Sequence, residues 1–231
     1  MVSHYSRKLQ RDIMEWDVAT VSTALRLWNR WSGVLAGAKV LEIGARNGGL
    51  SLYFALKGSS VICSDLRGPS ASAVGLHRRH GVSERITCCA IDATAIDYPD
   101  GEFDVVCFKS VLGGLGAIGG YATQERAVHE MHRVLRHGGN LLFAENLRGC
   151  FFHRYLRRKF VTWAKEWRYV ELSEIPSLFQ DFQDTAWASR GFLATLGRTE
   201  FQRTILHTLD VIVQPLVPNK SRYWVFGCAT K

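Results

Sequence analysis

Three acidic side chains, Glu42, Asp65 and Asp92, each stand at the end of an apolar run that is typical of a buried β-strand. The carboxyl ends of parallel strands meet at one edge of a sheet, where ligands of open α/β proteins bind. Carboxylates at that edge can accept hydrogen bonds from hydroxyl, amino or ammonium groups of one ligand. The three predicted strands are 39–43, 60–64 and 85–91.

The loop after the first strand reads Gly44-Ala-Arg-Asn-Gly-Gly49 and leads into a helical pattern. Its spacing does not match the glycine fingerprint that places loop amides on a pyrophosphate. The carboxylate of Glu42 would also repel a phosphate. The loop by itself could be a generic strand-to-helix turn, but the acid favours a ligand with hydroxyl or ammonium groups.

Asp65 follows Glu42 by 23 positions, which is close to the spacing of the ribose-binding acid in Rossmann-like folds. A single acid at a strand end is often only a helix cap. Paired with Glu42 at this distance, Asp65 is better explained as a ligand contact.

Several segments resemble class I S-adenosylmethionine-dependent methyltransferases, in the order expected for that family. Val40 to Gly49 resembles the first motif, 98–104 resembles the approach to the fourth strand, and 121–146 resembles a late helix, glycine pair and strand. The family usually has glycine at the position of Arg46. Many members carry histidines where this chain has the glycines of 113–120. The chain resembles, less specifically, bacterial enzymes of polysaccharide or secondary-metabolite pathways.

The resemblance implies S-adenosylmethionine as the cofactor and S-adenosylhomocysteine as its product. Asp65 would accept the ribose hydroxyls, Asp92 would accept the adenine amino group, and the Ala93 amide would meet a ring nitrogen. The predicted cofactor contacts are Glu42, Gly44, Ala45, Arg46, Asn47, Gly48, Asp65, Leu66, Asp92, Ala93, Lys109 and Ser110.

The predicted fold is α/β, a Rossmann-like doubly wound sheet of seven strands in which, by the family resemblance, the last strand is antiparallel. A length of 231 residues suits one domain. It would comprise N-terminal helices over 1–38, a cofactor-binding core over 39–146 and a substrate-side half over 147–231. The glycines of 113–120 predict a flexible loop, followed by a helix over 121–135. Trp16 is predicted to pack in the core, although it could instead close over a cofactor.

The composition, 47% apolar and 22% charged, is that of a soluble globular protein, without an apolar run long enough to span a bilayer. The first twelve residues lack a signal-peptide core, which predicts a cytoplasmic location. The six cysteines show no metal or redox spacing, so they are expected to be reduced and mostly buried, and no metal site is predicted. The net charge of +8 indicates attraction to anions.

The segment 148–169 carries seven basic residues against one acid, with aromatic residues interleaved. Such a segment can lie on an anionic membrane surface, line a pocket for a phosphorylated or lipid-linked substrate, or stack on single-stranded nucleic acid. It can equally pack its aromatic rings on the sheet while its basic ends stay in water. We expect a small-molecule acceptor, with membrane contact and nucleic acid as alternatives. A sugar or lipid-linked saccharide, or a secondary metabolite, is the class of acceptor expected, and a sugar or lipid-linked saccharide would suit this segment. The sequence does not reveal the oligomeric state.

Methyl transfer from a sulfonium needs the acceptor to be positioned and water to be excluded, and a hydroxyl acceptor gains from a general base. The predicted catalytic residues are Glu145, His153 and Lys109, and the predicted substrate contacts are Asn146, Arg154, Trp167 and Arg168. The chain lacks the Asp/Asn-Pro-Pro-Tyr box of many amino-group and nucleobase methyltransferases. We therefore expect transfer to a hydroxyl oxygen, with an RNA methyltransferase or a non-catalytic cofactor-binding module as alternatives.

Overall fold

A computed structural model describes residues 5–32, 36–161 and 166–231 of the chain. Two helices come first, α1 (Arg7–Met14) and α2 (Val18–Trp31), within the predicted helical region. Trp163 and Lys165 of the basic aromatic segment lie outside the described residues.

The described strands form one seven-stranded sheet, and the predicted fold class is confirmed. The strand order is β3-β2-β1-β4-β5-β7-β6, in which only the pairs that involve β7 are antiparallel. The strands are β1 (Lys39–Ile43), β2 (Ser60–Asp65), β3 (Ile86–Ala90), β4 (Phe103–Lys109), β5 (Leu135–Asn146), β6 (Asp184–Arg190) and β7 (Trp224–Thr230).

Helices cover both faces of the sheet, because the central strands are apolar on both faces. One core cluster joins α1, α2 and the next helix to the sheet, and the other lies beneath the long helix that follows β4. The remaining helices are α3 (Gly49–Leu56), α4 (Ala71–Arg79), α5 (Leu112–Val134), α6 (Phe151–Phe160), α7 (Ile175–Leu178) and α8 (Glu200–Val213).

The prediction of a flexible loop over 113–120 was wrong. Helix α5 begins at Leu112 and includes these glycines, with a break at Gly119 and Gly120. A side chain at Gly113 would place its Cβ 1.6 Å from Nε1 of Trp167. Glycine therefore serves here for the close approach of a tryptophan, and not for flexibility.

The cysteines are free, but only half of them are buried. Cys63, Cys107 and Cys228 lie inside, whereas Cys88 is exposed on β3, because this strand is at the edge of the sheet. The prediction that most cysteines are core residues was therefore wrong for β3. In the described part of the chain, no helix is long and apolar enough to cross a bilayer.

Candidate active site

A cavity of about 690 Å³ opens at the carboxyl edge of the parallel strands, the position expected for a ligand in this architecture. Ten of the twelve predicted cofactor contacts line it. They are Glu42, Gly44, Ala45, Arg46, Asp65, Leu66, Asp92, Ala93, Lys109 and Ser110.

Glu42 lies at the floor of the cavity and is 3% exposed. Its Oε2 accepts hydrogen bonds from the Ser51 amide at 2.7 Å and from the Ser51 hydroxyl. Burial raises the pKa of Glu42 to about 7, because desolvation outweighs these hydrogen bonds. A cationic ligand group in the cavity would favour the ionised carboxylate.

The turn after β1 is shaped by conformations that few side chains adopt. Gly44 has φ +65°, and a Cβ there would lie 2.5 Å from the Val111 side chain, so only glycine fits. Arg46 has φ +50°, in the left-handed region that favours glycine. Its side chain is 74% exposed, with one long contact of 3.9 Å to Glu15. Arg46 thus extends along the rim instead of filling the cavity.

Asp65 holds the same turn from the end of β2. Its Oδ2 accepts the Arg46 amide at 2.9 Å, and its Oδ1 accepts the Leu66 amide at 2.8 Å. A carboxylate has about four lone-pair sites, so each oxygen can still accept a hydroxyl of a ligand. This geometry is compatible with the predicted ribose contact.

Asp92 lies beyond β3 on the outer side of the cavity. Its Oδ1 accepts from the Thr94 amide at 2.8 Å and the Thr94 hydroxyl at 2.7 Å. These two hydrogen bonds lower the pKa of Asp92 and fix its orientation. The ionised carboxylate is thus set to accept an amino group.

Lys109, at the end of β4, is a partly buried cation that lines the cavity. Its Nζ donates to the Met14 carbonyl at 2.8 Å, at the end of α1, where a positive charge is favoured. Desolvation lowers the pKa of Lys109, and the nearby carboxylates of Glu15 and Glu42 oppose that effect. Lys109 therefore joins the N-terminal helix to the sheet at the cavity wall.

The segment between α1 and α2 covers the cavity. Trp16 packs against the core, as predicted, but it also lines the cavity. Glu15 and Trp16 line the cavity, while the Trp16 ring also packs on Trp224 with centroids 5.1 Å apart. The buried carboxylate of Asp17 fixes this cover, since it accepts from Tyr223 Oη at 2.8 Å and Trp224 Nε1 at 2.9 Å. The position of Trp16 is thus compatible with the predicted alternative that it closes over a cofactor.

Two predicted bases do not reach the cavity, and the geometry does not support their proposed role. Glu145 is 1% exposed, and it accepts hydrogen bonds from the amides of Val111, Leu112 and Asn146 at 2.8–2.9 Å. These amides include the start of α5, so Glu145 acts as a helix-terminal acceptor.

His153 lies against Tyr223, with ring centroids 5.6 Å apart, and its Nε2 contacts the Phe192 carbonyl at 2.9 Å. Burial lowers its pKa to about 4. The ring is thus held by Phe192 and Tyr223 and does not line the cavity. Its proximity in sequence to the end of β5 was misleading.

Asn47 and Gly48, the other two predicted cofactor contacts, do not line the cavity. Asn47 accepts a hydrogen bond from the Ser70 hydroxyl at 3.0 Å, and the Gly48 carbonyl contacts His77 Nε2 at 2.9 Å. Asn146, predicted to touch substrate, donates to the hydroxyl of Ser110 at 2.7 Å. These residues support the cavity loops from behind.

The remaining predicted substrate contacts lie at a second, neighbouring cavity. Trp167 lines both cavities, whereas Arg154 and Arg168 line only the second. Arg168 is already paired with Glu174 at 2.5 Å and bonded to Gln124, so its guanidinium is occupied. Sequence reasoning missed the apolar wall of the first cavity, which includes Ile43, Leu115 and Ile118.

A known protein family matches the central part of the chain. Residues 41–143 match the family described as methyltransferase domain. This stretch contains the glycine turn and all three strand-end acids. Over this stretch, which is just under half of the chain, the sequence is that of a methyltransferase domain. The predicted resemblance to methyltransferases is thereby confirmed for these residues, and S-adenosylmethionine is the cofactor that the resemblance implies.

Curated relatives share the domain over part of their length. The ubiquinone/menaquinone biosynthesis C-methyltransferase UbiE of Hahella chejuensis is 38% identical over 129 residues, which is 52% of this chain and 49% of that protein. The protein of the same name from Cellvibrio japonicus is 37% identical over 131 residues, again covering 52% and 49%. The chain thus spans about half the length of the curated relatives it matches.

Solved structures support the fold over nearly the whole chain. Phosphoethanolamine N-methyltransferase 2 of Haemonchus contortus, in complex with S-adenosyl-L-methionine, gives a TM-score of 0.64 at 17% identity. The match covers 99% of this chain and 58% of that one. The [4+2]-cyclase SpnF gives 0.62 at 17% identity, covering 91% and 80%. One fold therefore serves different chemistries, and the acceptor must be argued from the site.

The first prediction concerns the buried acid Glu42. Its pKa rises from 4.5 to about 7 on folding, so the stability that its protonated form contributes at low pH is lost as the pH rises toward 7. Glu42→Gln mimics the protonated acid. In the ligand-free protein, this variant should exceed the wild type by up to about 3 kcal/mol at pH 8 and match it near pH 4.5. Urea unfolding at both pH values measures the difference, and equal gains at both would contradict the assignment.

The second prediction concerns Arg46. Because its side chain is exposed, Arg46→Ala should change the free energy of unfolding by less than about 0.5 kcal/mol. Arg46→Gly also relieves the left-handed backbone, so it should be more stable than Arg46→Ala by about 1 kcal/mol. Both variants should bind S-adenosylmethionine as tightly as the wild type. Tighter binding by both variants would show instead that the arginine obstructs the cofactor.

Proposed function

We propose that this chain transfers the methyl group of S-adenosylmethionine to a hydroxyl oxygen of a small molecule. The observation that carries the proposal is the convergence of Glu42, Asp65 and Asp92 on one cavity that also contains Lys109. Three acceptors match the hydroxyl and amino groups of an adenosyl amino acid, and the cavity has room for a ligand of that class.

The cofactor supplies an activated methyl group on a sulfonium, so the chain has mainly to orient the acceptor and exclude water. Trp16 and Trp167 flank the cavity and would shield the reacting atoms. Since Glu145 and His153 are held elsewhere, we assign acceptor activation to Lys109. Its ammonium group would lower the pKa of an acceptor hydroxyl, whose proton would pass to solvent. The ionised oxygen would then form the bond to the methyl carbon while the carbon–sulfur bond breaks and S-adenosylhomocysteine leaves as a neutral thioether.

A second acceptor atom is a ring carbon next to such a hydroxyl. The curated relatives are named C-methyltransferases, which favours this candidate. Both chemistries begin from an ionised hydroxyl, so both use Lys109 in the same way. The bond from the new methyl group to oxygen or carbon, read from the NMR spectrum of the product, distinguishes them.

Contact with a membrane surface also remains a proposal. It is supported by exposed apolar side chains on one side of α8, Phe201, Ile205 and Ile212, and by the basic aromatic helix α6. An RNA acceptor would instead show itself as RNA binding that weakens steeply with salt.

The third prediction tests the cofactor site. Asp65→Ala removes the acceptor proposed for the ribose hydroxyls, so S-adenosylmethionine should bind about 1 to 3 kcal/mol more weakly. Asp97→Ala is the matched control, because Asp97 is exposed and does not line the cavity. Isothermal titration calorimetry measures both affinities. An unchanged affinity for Asp65→Ala would refute the cofactor pose, and no binding by the wild type at millimolar ligand would refute the proposed function.

A further inference from the structure

The second cavity, of about 1120 Å³, lies beside the first and shares the Trp167 side chain with it. Trp167 packs over Gly113 and Gly114 of α5, where a Cβ would lie 1.6 and 3.3 Å from the indole. The Arg168 amide donates to the Gly113 carbonyl at 3.0 Å and fixes this arrangement. A ligand that passes Trp167 could therefore occupy both cavities.

The second cavity is strongly basic. Among the described side chains that line it, only Glu171 is acidic, and six are basic: Arg148, Arg154, Arg157, Arg158, Lys159 and Arg168. Two of the cations are already neutralised, Arg148 by Glu171 and Arg168 by Glu174.

The other four cations have no carboxylate partner in the described part of the chain. Residues 162–165, which lie outside it, are Thr, Trp, Ala and Lys, so they carry no acid either. The cavity thus concentrates positive charge that the protein itself does not balance.

Arg157 is the strongest evidence, because it is only 9% exposed. Its Nη1 donates to the Leu147 carbonyl at 2.7 Å, and its guanidinium stacks on the Tyr169 ring at 4.4 Å. A buried cation without an anion is costly, and burial lowers the pKa of Arg157 accordingly. A bound anion would offset that cost.

Unsatisfied polar atoms surround the same space. Nε of Arg154 and the hydroxyl of Tyr169 are both buried without a hydrogen-bond partner, and both residues line the second cavity. Buried polar groups are satisfied in most native proteins, so such atoms indicate a missing ligand or water.

We propose that the second cavity binds a phosphate or diphosphate group of the methyl acceptor, while Trp167 separates this group from the reacting end. Guanidinium groups suit phosphate because their planar forks match its oxygens. That the bound group belongs to the methyl acceptor rests on the proposed function. The existence of the anion site does not.

The experiment titrates the full chain with inorganic pyrophosphate by calorimetry at low salt. The wild type should bind, and the double variant Arg154→Gln/Arg158→Gln should bind at least about tenfold more weakly, since it loses charge-assisted hydrogen bonds to the phosphate oxygens. Neither arginine forms an ion pair within the described part of the chain, so the substitutions break no salt bridge there. Arg78→Gln, on the exposed face of α4, removes a charge far from the cavity and should bind normally.

Absence of pyrophosphate binding by the wild type would overturn the proposal, as would an equal loss in Arg78→Gln. Titration of the same proteins with S-adenosylmethionine separates this failure from a failure of the proposed function. If the double variant loses pyrophosphate binding and keeps its cofactor affinity, the anion site is supported.

The phosphate group could belong to a lipid headgroup or to a free phosphorylated molecule. Binding of the protein to vesicles of phosphatidylcholine, with and without phosphatidic acid, distinguishes these two sources. Binding only to the vesicles with phosphatidic acid, displaced by pyrophosphate, indicates a lipid headgroup. Pyrophosphate binding without any vesicle binding indicates a free phosphorylated molecule. Vesicle binding that pyrophosphate does not displace would contradict a lipid headgroup in this cavity.

Discussion

Carboxylates at the carboxyl edge of the sheet hold the backbone amides from which the cavity is built. Asp65 accepts the amides of Arg46 and Leu66, Asp92 accepts that of Thr94, and Glu145 accepts those at the start of α5. A loop amide without a partner would cost free energy in this partly buried place. The acids therefore set the loop conformations before any ligand arrives. Two of them, Asp65 and Asp92, keep lone pairs for the ligand as well.

Burial separates the roles of these acids. Glu42 and Glu145 are both nearly inaccessible, and the pKa of each is raised to about 7. Glu42 faces the cavity, whereas Glu145 faces the first turn of α5. A similarly raised pKa thus occurs in Glu42, a candidate ligand contact, and in Glu145, a structural hydrogen-bond acceptor. Geometry distinguishes them, and a perturbed pKa by itself does not.

The strands and the strand-end acids could be predicted from the sequence, because apolar runs and their terminal residues are local features. The direction in which a strand-end side chain points depends on neighbouring loops, which is why Glu145 was proposed as a base. The glycines of 113–120 predicted a loop because glycine weakens helices. The packing of Trp167 on Gly113, a contact between residues far apart in sequence, overrides that preference. Trp16 lines the cavity for a similar reason, since Asp17 is anchored by Tyr223 and Trp224.

The most direct test of the central claim is a crystal structure of the chain with S-adenosylhomocysteine. The account predicts the ribose hydroxyls within hydrogen-bond distance of Asp65, the adenine amino group on Asp92, and the sulfur directed toward Lys109 and Trp16. A ligand bound elsewhere would contradict it. So would a ligand in this cavity that leaves Asp65 in contact with only the amides of Arg46 and Leu66.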